Sequence, residues 1–182
     1  MEIERRVLRE NVAEDYRILL RAEAELFLPC DYPRIREFYL TLADACLKWT
    51  TEVSGARLRA LYTSLESNTE KARFRARTYR LRMRYPLIDG RCAAIVCESD
   101  LEGEAGGRDR RRLSHVWCLR EETMLPPSQI LKRYSRGVGI RGIGFRPDGI
   151  YPEDGKLVFF KNLTEKGEIL EKYCVFDTDG NL

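Results

Sequence analysis

The chain has 182 residues, 43% of them hydrophobic and 34% charged, and this composition predicts one globular domain over residues 1–182. Its net charge is only +3, which excludes a protein that is basic over its whole surface. No apolar run approaches the roughly 20 residues of a membrane span, and the charged start lacks the apolar middle of a signal peptide. We therefore expect a cytoplasmic protein whose six cysteines are reduced and mostly buried.

The first predicted element is a half-buried strand over residues 16–28, YRILLRAEAELFL. Apolar and charged side chains alternate there with a period of two, so Tyr16 and the later even-numbered residues share one face. A long helix is predicted next, from Pro33 to about Leu65, because its apolar residues recur at helical spacing. Ser54-Gly55 could bend or break this helix near its middle.

Beyond the helix, the period returns to two. Strands are predicted over residues 70–85 and 91–101, joined by a tight turn at Asp89-Gly90. The second strand contains RCAAIVC, which is apolar on both faces and indicates a central strand covered on both sides. A charged loop, Glu102–Arg112, then leads to the strand LSHVWCL.

The last third of the chain contains a predicted short helix, PPSQILKRY, and two predicted strands, KLVFF and ILEKYCVF. Turns are expected at Pro147-Asp148-Gly149 and at residues 153–155. Together the elements predict an α+β fold, an antiparallel β-sheet with one long helix packed across it and a short second helix.

The stretch KARFRARTYRLRMRY, residues 71–85, holds seven basic side chains and no acidic one. Its arginines change parity along the chain, so a regular strand would bury half of them at a large cost in free energy. We predict a β-bulge near Thr78-Tyr79 that restores a single basic face. The arginines concerned are Arg73, Arg75, Arg77, Arg80, Arg82 and Arg84.

This arginine row has three interpretations, the third of which is a surface for another anionic ligand or for a protein partner. In the first, it is a solvated strand face neutralised by carboxylates of neighbouring strands. In the second, it follows the phosphates of a nucleic acid, with Tyr79 or Tyr85 as a stacking surface for the bases. Nucleic acid is the alternative rather than the favoured partner, because the rest of the chain is acidic. The carboxylates available are Glu23, Glu25, Glu98, Asp100 and Glu102, and further candidate binding residues are Arg110, Arg111 and Arg112.

Catalytic and metal-binding motifs are absent from the sequence. His115 is the sole histidine and fits a structural role, and no cysteines stand at metal-binding spacing. The glycines of RGVGIRGIG precede a turn rather than a helix, and Asp177-Thr178-Asp179-Gly180 lacks the distal glutamate of a calcium loop. We therefore expect a non-catalytic binding domain without cofactor or metal.

Several short motifs resemble one known family. They are Asp31-Tyr32-Pro33, Gly106-Gly107, the segment SHVWCLREETMLPPSQIL and Phe145-Arg146-Pro147-Asp148-Gly149. In this order they are similar to the sensor-type domain of lysozyme-responsive anti-sigma factors, which is also appended to peptidoglycan deacetylases. The chain departs from that pattern at Arg108-Asp109, where the family usually has Ala-His, and in the later segment, which lacks the family's Asp and Gly.

The resemblance covers roughly residues 16–175. It implies a non-catalytic α+β module that recognises a protein or a cell-wall-type ligand. The matched positions are turns and core residues, so the resemblance assigns no ligand contact to this chain.

Overall fold

A computed structural model describes residues 1–88, 90–102, 107–128, 148–153, 156–162 and 169–177. The predicted α+β class is confirmed, with one sheet ordered β1-β2-β3-β4-β5-β6 and a second ordered β7-β8-β9. The elements are β1 Ile3–Glu14, β2 Arg17–Pro29, α1 Pro33–Thr63, α2 Asn68–Arg73, β3 Arg77–Ile88, β4 Cys92–Glu102, β5 Arg108–Cys118, β6 Thr123–Leu125, β7 Gly149–Glu153, β8 Lys156–Asn162 and β9 Ile169–Asp177.

One strand pair differs from the expected antiparallel arrangement. β2 and β3 run parallel, because the long helix α1 connects them and gives the chain room to return in the same direction. The pairs β1–β2, β5–β6, β7–β8 and β8–β9 are antiparallel. Among the described residues no helix is long and apolar enough to span a membrane.

The chain separates into two compact units. The N-unit comprises Met1–Arg82 and Ser99–Arg110, and the C-unit comprises Met83–Glu98 and Arg111–Leu182. That the chain forms a single domain stays a prediction.

The core of the N-unit lies between β2 and α1. Leu20, Ala22, Ala24, Leu26 and Leu28 of β2 are buried, which confirms the predicted alternation from Leu20 onward. Leu19 is buried as well, where the register with β1 shifts. Buried residues of α1 follow at helical spacing, and they are Ile35, Tyr39, Ala43, Leu47, Thr50, Gly55, Leu58 and Tyr62.

The helix α1 continues through Ser54-Gly55, so of the two expectations there, a bend or a break, the break is wrong. Gly55 has another role there, because a Cβ atom on it would lie 2.7 Å from Cγ2 of Val12. The glycine thus lets β1 approach the helix closely.

Strand β1 was not predicted, because half of its residues are charged, most are exposed and its apolar residues do not alternate regularly. It joins β2 through Asp15 and Tyr16, whose φ angles are 46° and 64°. Positive φ at both central residues is the signature of a type I′ hairpin turn. Tyr16 therefore lies in a turn and not on the apolar face of a strand.

The arginine row divides between a helix and a strand. Ser67 and Glu70 form a capping box that starts α2, and β3 begins only at Arg77. The predicted strand over residues 70–85 is therefore confirmed only from Arg77 onward. The predicted bulge at Thr78-Tyr79 is wrong, since the register from Arg77 to Arg82 is regular. Arg73 and Arg75 precede β3, in a helix and its connection. Arg77 lies in β3 in register with buried Leu20, on the opposite side from Arg80 and Arg82.

The C-unit buries a continuous run of β4, Cys92–Cys97, as the sequence predicted. The even-numbered side chains of this run pack against the second sheet. Their partners are Val116 of β5, Ile150 of β7 and Val158, Phe159 and Phe160 of β8.

Ser114 ties the second sheet to β5. Its hydroxyl donates to the carbonyl of Ile150 and accepts from the amide of Ile150, both at 2.9 Å. Gly149 lies next to this pair, where a Cβ atom would be 2.5 Å from Cβ of Ser114 and 2.6 Å from Cζ of Phe160.

The remaining predictions concern two strands, a loop, a short helix and the cysteines. The strands KLVFF and ILEKYCVF are confirmed as β8 and β9. The loop predicted over Glu102–Arg112 is shorter, because β5 already begins at Arg108. Most of PPSQILKRY and all of RGVGIRGIG lie outside the described residues, and the short helix that the structure describes is α2. The five cysteines whose side chains are described are free thiols.

Candidate functional site

One exposed side of the N-unit sheet carries an array of charged residues, which we call the arginine face. The cross-strand register places Arg9 of β1 opposite Glu23 of β2, and Glu23 opposite Arg80 of β3. Alternation along each strand brings the neighbouring charged residues to the same side. The arginine face consists of Arg5, Arg9, Arg21, Glu23, Glu25, Arg80 and Arg82.

The glutamates of the arginine face are held by β1. Arg5 donates from Nε to Oε1 of Glu25 at 2.8 Å, and Arg9 donates from Nε to Oε2 of Glu23 at 2.8 Å. The sequence predicted instead that these glutamates neutralise the arginine row on β3. It missed β1 and therefore the competing arginines.

Arg80 and Arg82 consequently project without a partner. They lie in register with Glu23 and Glu25, yet neither forms an ion pair or hydrogen bond within the part of the chain that the structure describes. Both side chains are exposed, whereas Leu81 between them is buried. The guanidinium groups are thus available to a ligand.

In the C-unit, by contrast, Arg84 and Arg112 are paired. Arg112 donates from Nε and Nη2 to Oε1 of Glu98, at 2.9 and 2.7 Å. Arg84 lies 3.7 Å from the other carboxylate oxygen of Glu98. For Arg84 the predicted neutralisation by a neighbouring strand is confirmed, whereas the pairing of Arg112, a candidate binding residue, was not predicted.

The rest of the predicted binding residues are dispersed. Arg73 ends α2, Arg75 lies in the connection to β3, and both are exposed. Arg110 and Arg111 are exposed on successive positions of β5, so alternation turns them to opposite sides.

Tyr79 is not a stacking surface, because it is only 7% exposed. Burial raises the pKa of its hydroxyl to about 12, and its side-chain hydrogen-bonding partners are Ser99, Thr50 and Cys46. Tyr85 is half-buried, and burial likewise raises its pKa. The predicted aromatic contact at Tyr79 is therefore wrong.

The sequence missed Tyr16, whose side chain is fully exposed at 109%. Arg17 beside it donates from Nη1 to the carbonyls of Lys71 and Ala72, at 2.7 and 2.6 Å. This contact ties the hairpin turn to the end of α2, so Tyr16 and Arg73 lie at the same end of the N-unit. The turn lacks glycine and asparagine, so no local signal identified it.

A groove, two titratable side chains and the possible metal ligands complete the polar features of the described residues. A groove of 360 Å³ lies between β1 and α1, and within it Thr51 donates to Glu10 at 3.0 Å. Burial raises the pKa of the Cys46 thiol and lowers the pKa of His115. Within the described ranges no group of three His, Cys, Asp or Glu residues could hold a metal ion.

Comparison with known proteins yields structures but no sequence relatives. No protein-family model and no curated protein matches the chain. A member of the DUF3298 family from Bacteroides fragilis NCTC 9343 superposes with a TM-score of 0.56 at 7% identity, covering 89% of this chain and 83% of that chain. The chain shares the fold of that protein.

A second match is a DUF3298 family protein from Pseudomonas aeruginosa PAO1, with a TM-score of 0.42 and 10% identity. It covers 87% of this chain and 80% of that chain. The structural neighbours are thus proteins of a family named only as a domain of unknown function. The narrower resemblance to anti-sigma factors and peptidoglycan deacetylases is not confirmed.

Proposed function

We propose that this protein is a non-catalytic binding domain whose arginine face holds an anionic ligand. One observation carries the proposal: Arg80 and Arg82 are exposed and unpartnered, although two glutamates stand in register beside them. Those glutamates are already engaged by Arg5 and Arg9. The pairing leaves the excess positive charge on β3.

The chemistry of arginine defines the ligand class. A guanidinium presents its N–H donors in a planar fork that matches a carboxylate or a phosphate. Residues two apart on a strand are separated by about 6.6 to 6.8 Å, so Arg80 and Arg82 can contact successive anionic groups of an extended ligand. Carboxylates of a protein partner and phosphates of a cell-wall polymer or nucleic acid share this chemistry.

The experiment compares wild type with the variant Arg80→Ala/Arg82→Ala in fluorescence titrations. Inorganic polyphosphate and poly-L-glutamate serve as probes, each at low and at physiological salt. We expect at least one probe to bind, more weakly at higher salt, and the double variant to lose at least about tenfold in affinity.

The matched control is Arg57→Ala/Arg120→Ala, which removes the same charge from two exposed arginines outside the arginine face. An equal loss of affinity in both double variants would mean that only net charge matters, and the proposal would then be wrong. If neither polyphosphate nor poly-L-glutamate binds at low salt, the proposal is also wrong.

A further inference from the structure

We infer that Tyr16 and the arginine face form one site for single-stranded nucleic acid, in which Tyr16 stacks on a base and the arginines hold phosphates. This inference rests on the proposed function and adds to it a second contact element and a ligand class.

The first argument is the backbone of the turn. Tyr16 has a φ of 64° at the second central position of a type I′ turn, where glycine is the usual residue. A bulky side chain in this left-handed region is a genuine outlier. Because Tyr16 is fully exposed, the strain is not offset by packing. Strain of this kind often marks a functional contact.

The second argument is the positive charge that lies near the turn in addition to Arg80 and Arg82. The contact of Arg17 with the end of α2 brings the turn next to Arg73 and Arg75. Neither Arg73 nor Arg75 has a partner in the described part of the chain. These two exposed arginines therefore add unpartnered positive charge near the end of the N-unit that carries Tyr16.

The parallel register then sets the length of this surface. Arg80 and Arg82 lie beside Glu23 and Glu25 of β2. Glu23 and Glu25 follow Tyr16 by seven and nine residues. At about 3.3 Å per residue, Arg80 and Arg82 therefore lie roughly 23 to 30 Å from Tyr16 along β2. A surface of this length accommodates several nucleotides of an extended strand.

The third argument concerns the ligand class. An exposed aromatic ring in the same unit as the unpartnered Arg80 and Arg82 offers the two contacts of single-strand binders, base stacking and phosphate pairing. A duplex hides the faces of its bases, and an acidic polypeptide carries charge without a flat ring at regular intervals. Single-stranded nucleic acid therefore uses both Tyr16 and the arginines.

The test measures fluorescence anisotropy with an oligouridylate of about 15 nucleotides, within the usual site size of single-strand binders. Inorganic polyphosphate of similar charge and poly-L-glutamate are the competing ligands. The variants are Tyr16→Gly, which relieves the backbone strain, and Tyr16→Phe, which keeps the ring.

We expect Tyr16→Gly to weaken oligouridylate binding by about fivefold or more, the loss of one stacked base. Its binding of polyphosphate should not change, and its melting temperature should be at least that of wild type. Tyr16→Phe should retain oligouridylate binding. This combination separates a ligand contact from a structural role, since the glycine variant is no less stable.

Three results would overturn the inference. If Tyr16→Gly leaves oligouridylate binding intact, or weakens both phosphate polymers equally, Tyr16 is not a stacking residue and the proposed function still stands. If poly-L-glutamate binds more tightly than oligouridylate, the partner is an acidic protein. If wild type binds none of the three polymers, the proposed function fails together with the inference.

Discussion

The arginines of β3 differ in their pairing between the two units. In the C-unit, Arg84 shares the carboxylate of Glu98 with Arg112, whereas in the N-unit Arg80 and Arg82 find the neighbouring acids already occupied. Residue type and strand alternation are the same in both places. The difference shows that a near-neutral chain can still carry a local excess of charge, which depends on pairing and not on composition.

The two units also differ in what covers β4. In the C-unit its residues Cys92–Val96 are buried, with the even-numbered ones packed against the second sheet. In the N-unit the end of β4 is only half-buried and carries a charged residue, Asp100, whose carboxylate lies 3.6 Å from Arg108. We therefore expect substitutions in the C-unit to affect stability and substitutions on the arginine face to affect binding.

The largest effect on stability is expected from Gly149→Ala in the C-unit. The new methyl group would overlap Ser114 and Phe160, and overpacking of this kind costs about 1 to 3 kcal/mol. Gly107→Ala is the control, because a Cβ atom there meets no other atom within 4 Å. Urea denaturation measures both, and equal destabilisation would contradict the packing of the second sheet on β5.

A smaller effect, about 1 kcal/mol, is expected from Glu98→Gln, which weakens the charged hydrogen bonds to Arg112. The single variants Arg80→Ala and Arg82→Ala should each change the free energy of unfolding by less than about 0.5 kcal/mol, since neither side chain has a partner to lose. Denaturant midpoints rank the three variants. The reverse order would mean that Arg80 and Arg82 are structural.

The smallest expected effect is a dependence of the free energy of unfolding on pH that comes from His115 in the C-unit. Burial lowers the pKa of His115 below its ordinary value of 6.5, so the unfolded chain binds a proton more readily than the folded protein. The stability of wild type relative to His115→Gln should therefore fall as pH drops through 6.5 and level off below the folded pKa. Thermal unfolding between neutral and mildly acidic pH measures this difference.

Arg80→Ala/Arg82→Ala is the control for this pH series, because arginine does not titrate there. Its stability should follow that of wild type across the same pH range. A rise of wild-type stability relative to His115→Gln on acidification would contradict the burial of His115.

Much of the fold was readable from the sequence where one face of an element is apolar. The alternation of β2, the helical spacing of α1 and the continuous apolar run of β4 each reflect a buried surface. β1 has no such signal, because half of its side chains are charged, its apolar residues do not alternate regularly, and it contributes mainly backbone pairing and ion pairs. Such a strand is recognised only once its hydrogen-bonded neighbour, here β2, is known.

The candidate site was predicted in part. The sequence identified Arg80 and Arg82, but it could not show that Arg5 and Arg9 occupy the glutamates, because β1 was missed. Ser67 and Glu70 carried a capping-box signal that would have separated α2 from β3. No sequence rule places Tyr16 in a left-handed turn, since the backbone strain there runs against local preference.

The most direct measurement follows the arginine side-chain Nε–Hε signals by NMR while the polyanion that binds best is added. Arg80 and Arg82 should shift most, because only unpartnered guanidinium groups are available for a new ligand. Arg112 should not shift, since Glu98 already holds it. If Arg112 shifts as much as Arg80 and Arg82, or if no arginine shifts, the arginine face is not the binding site.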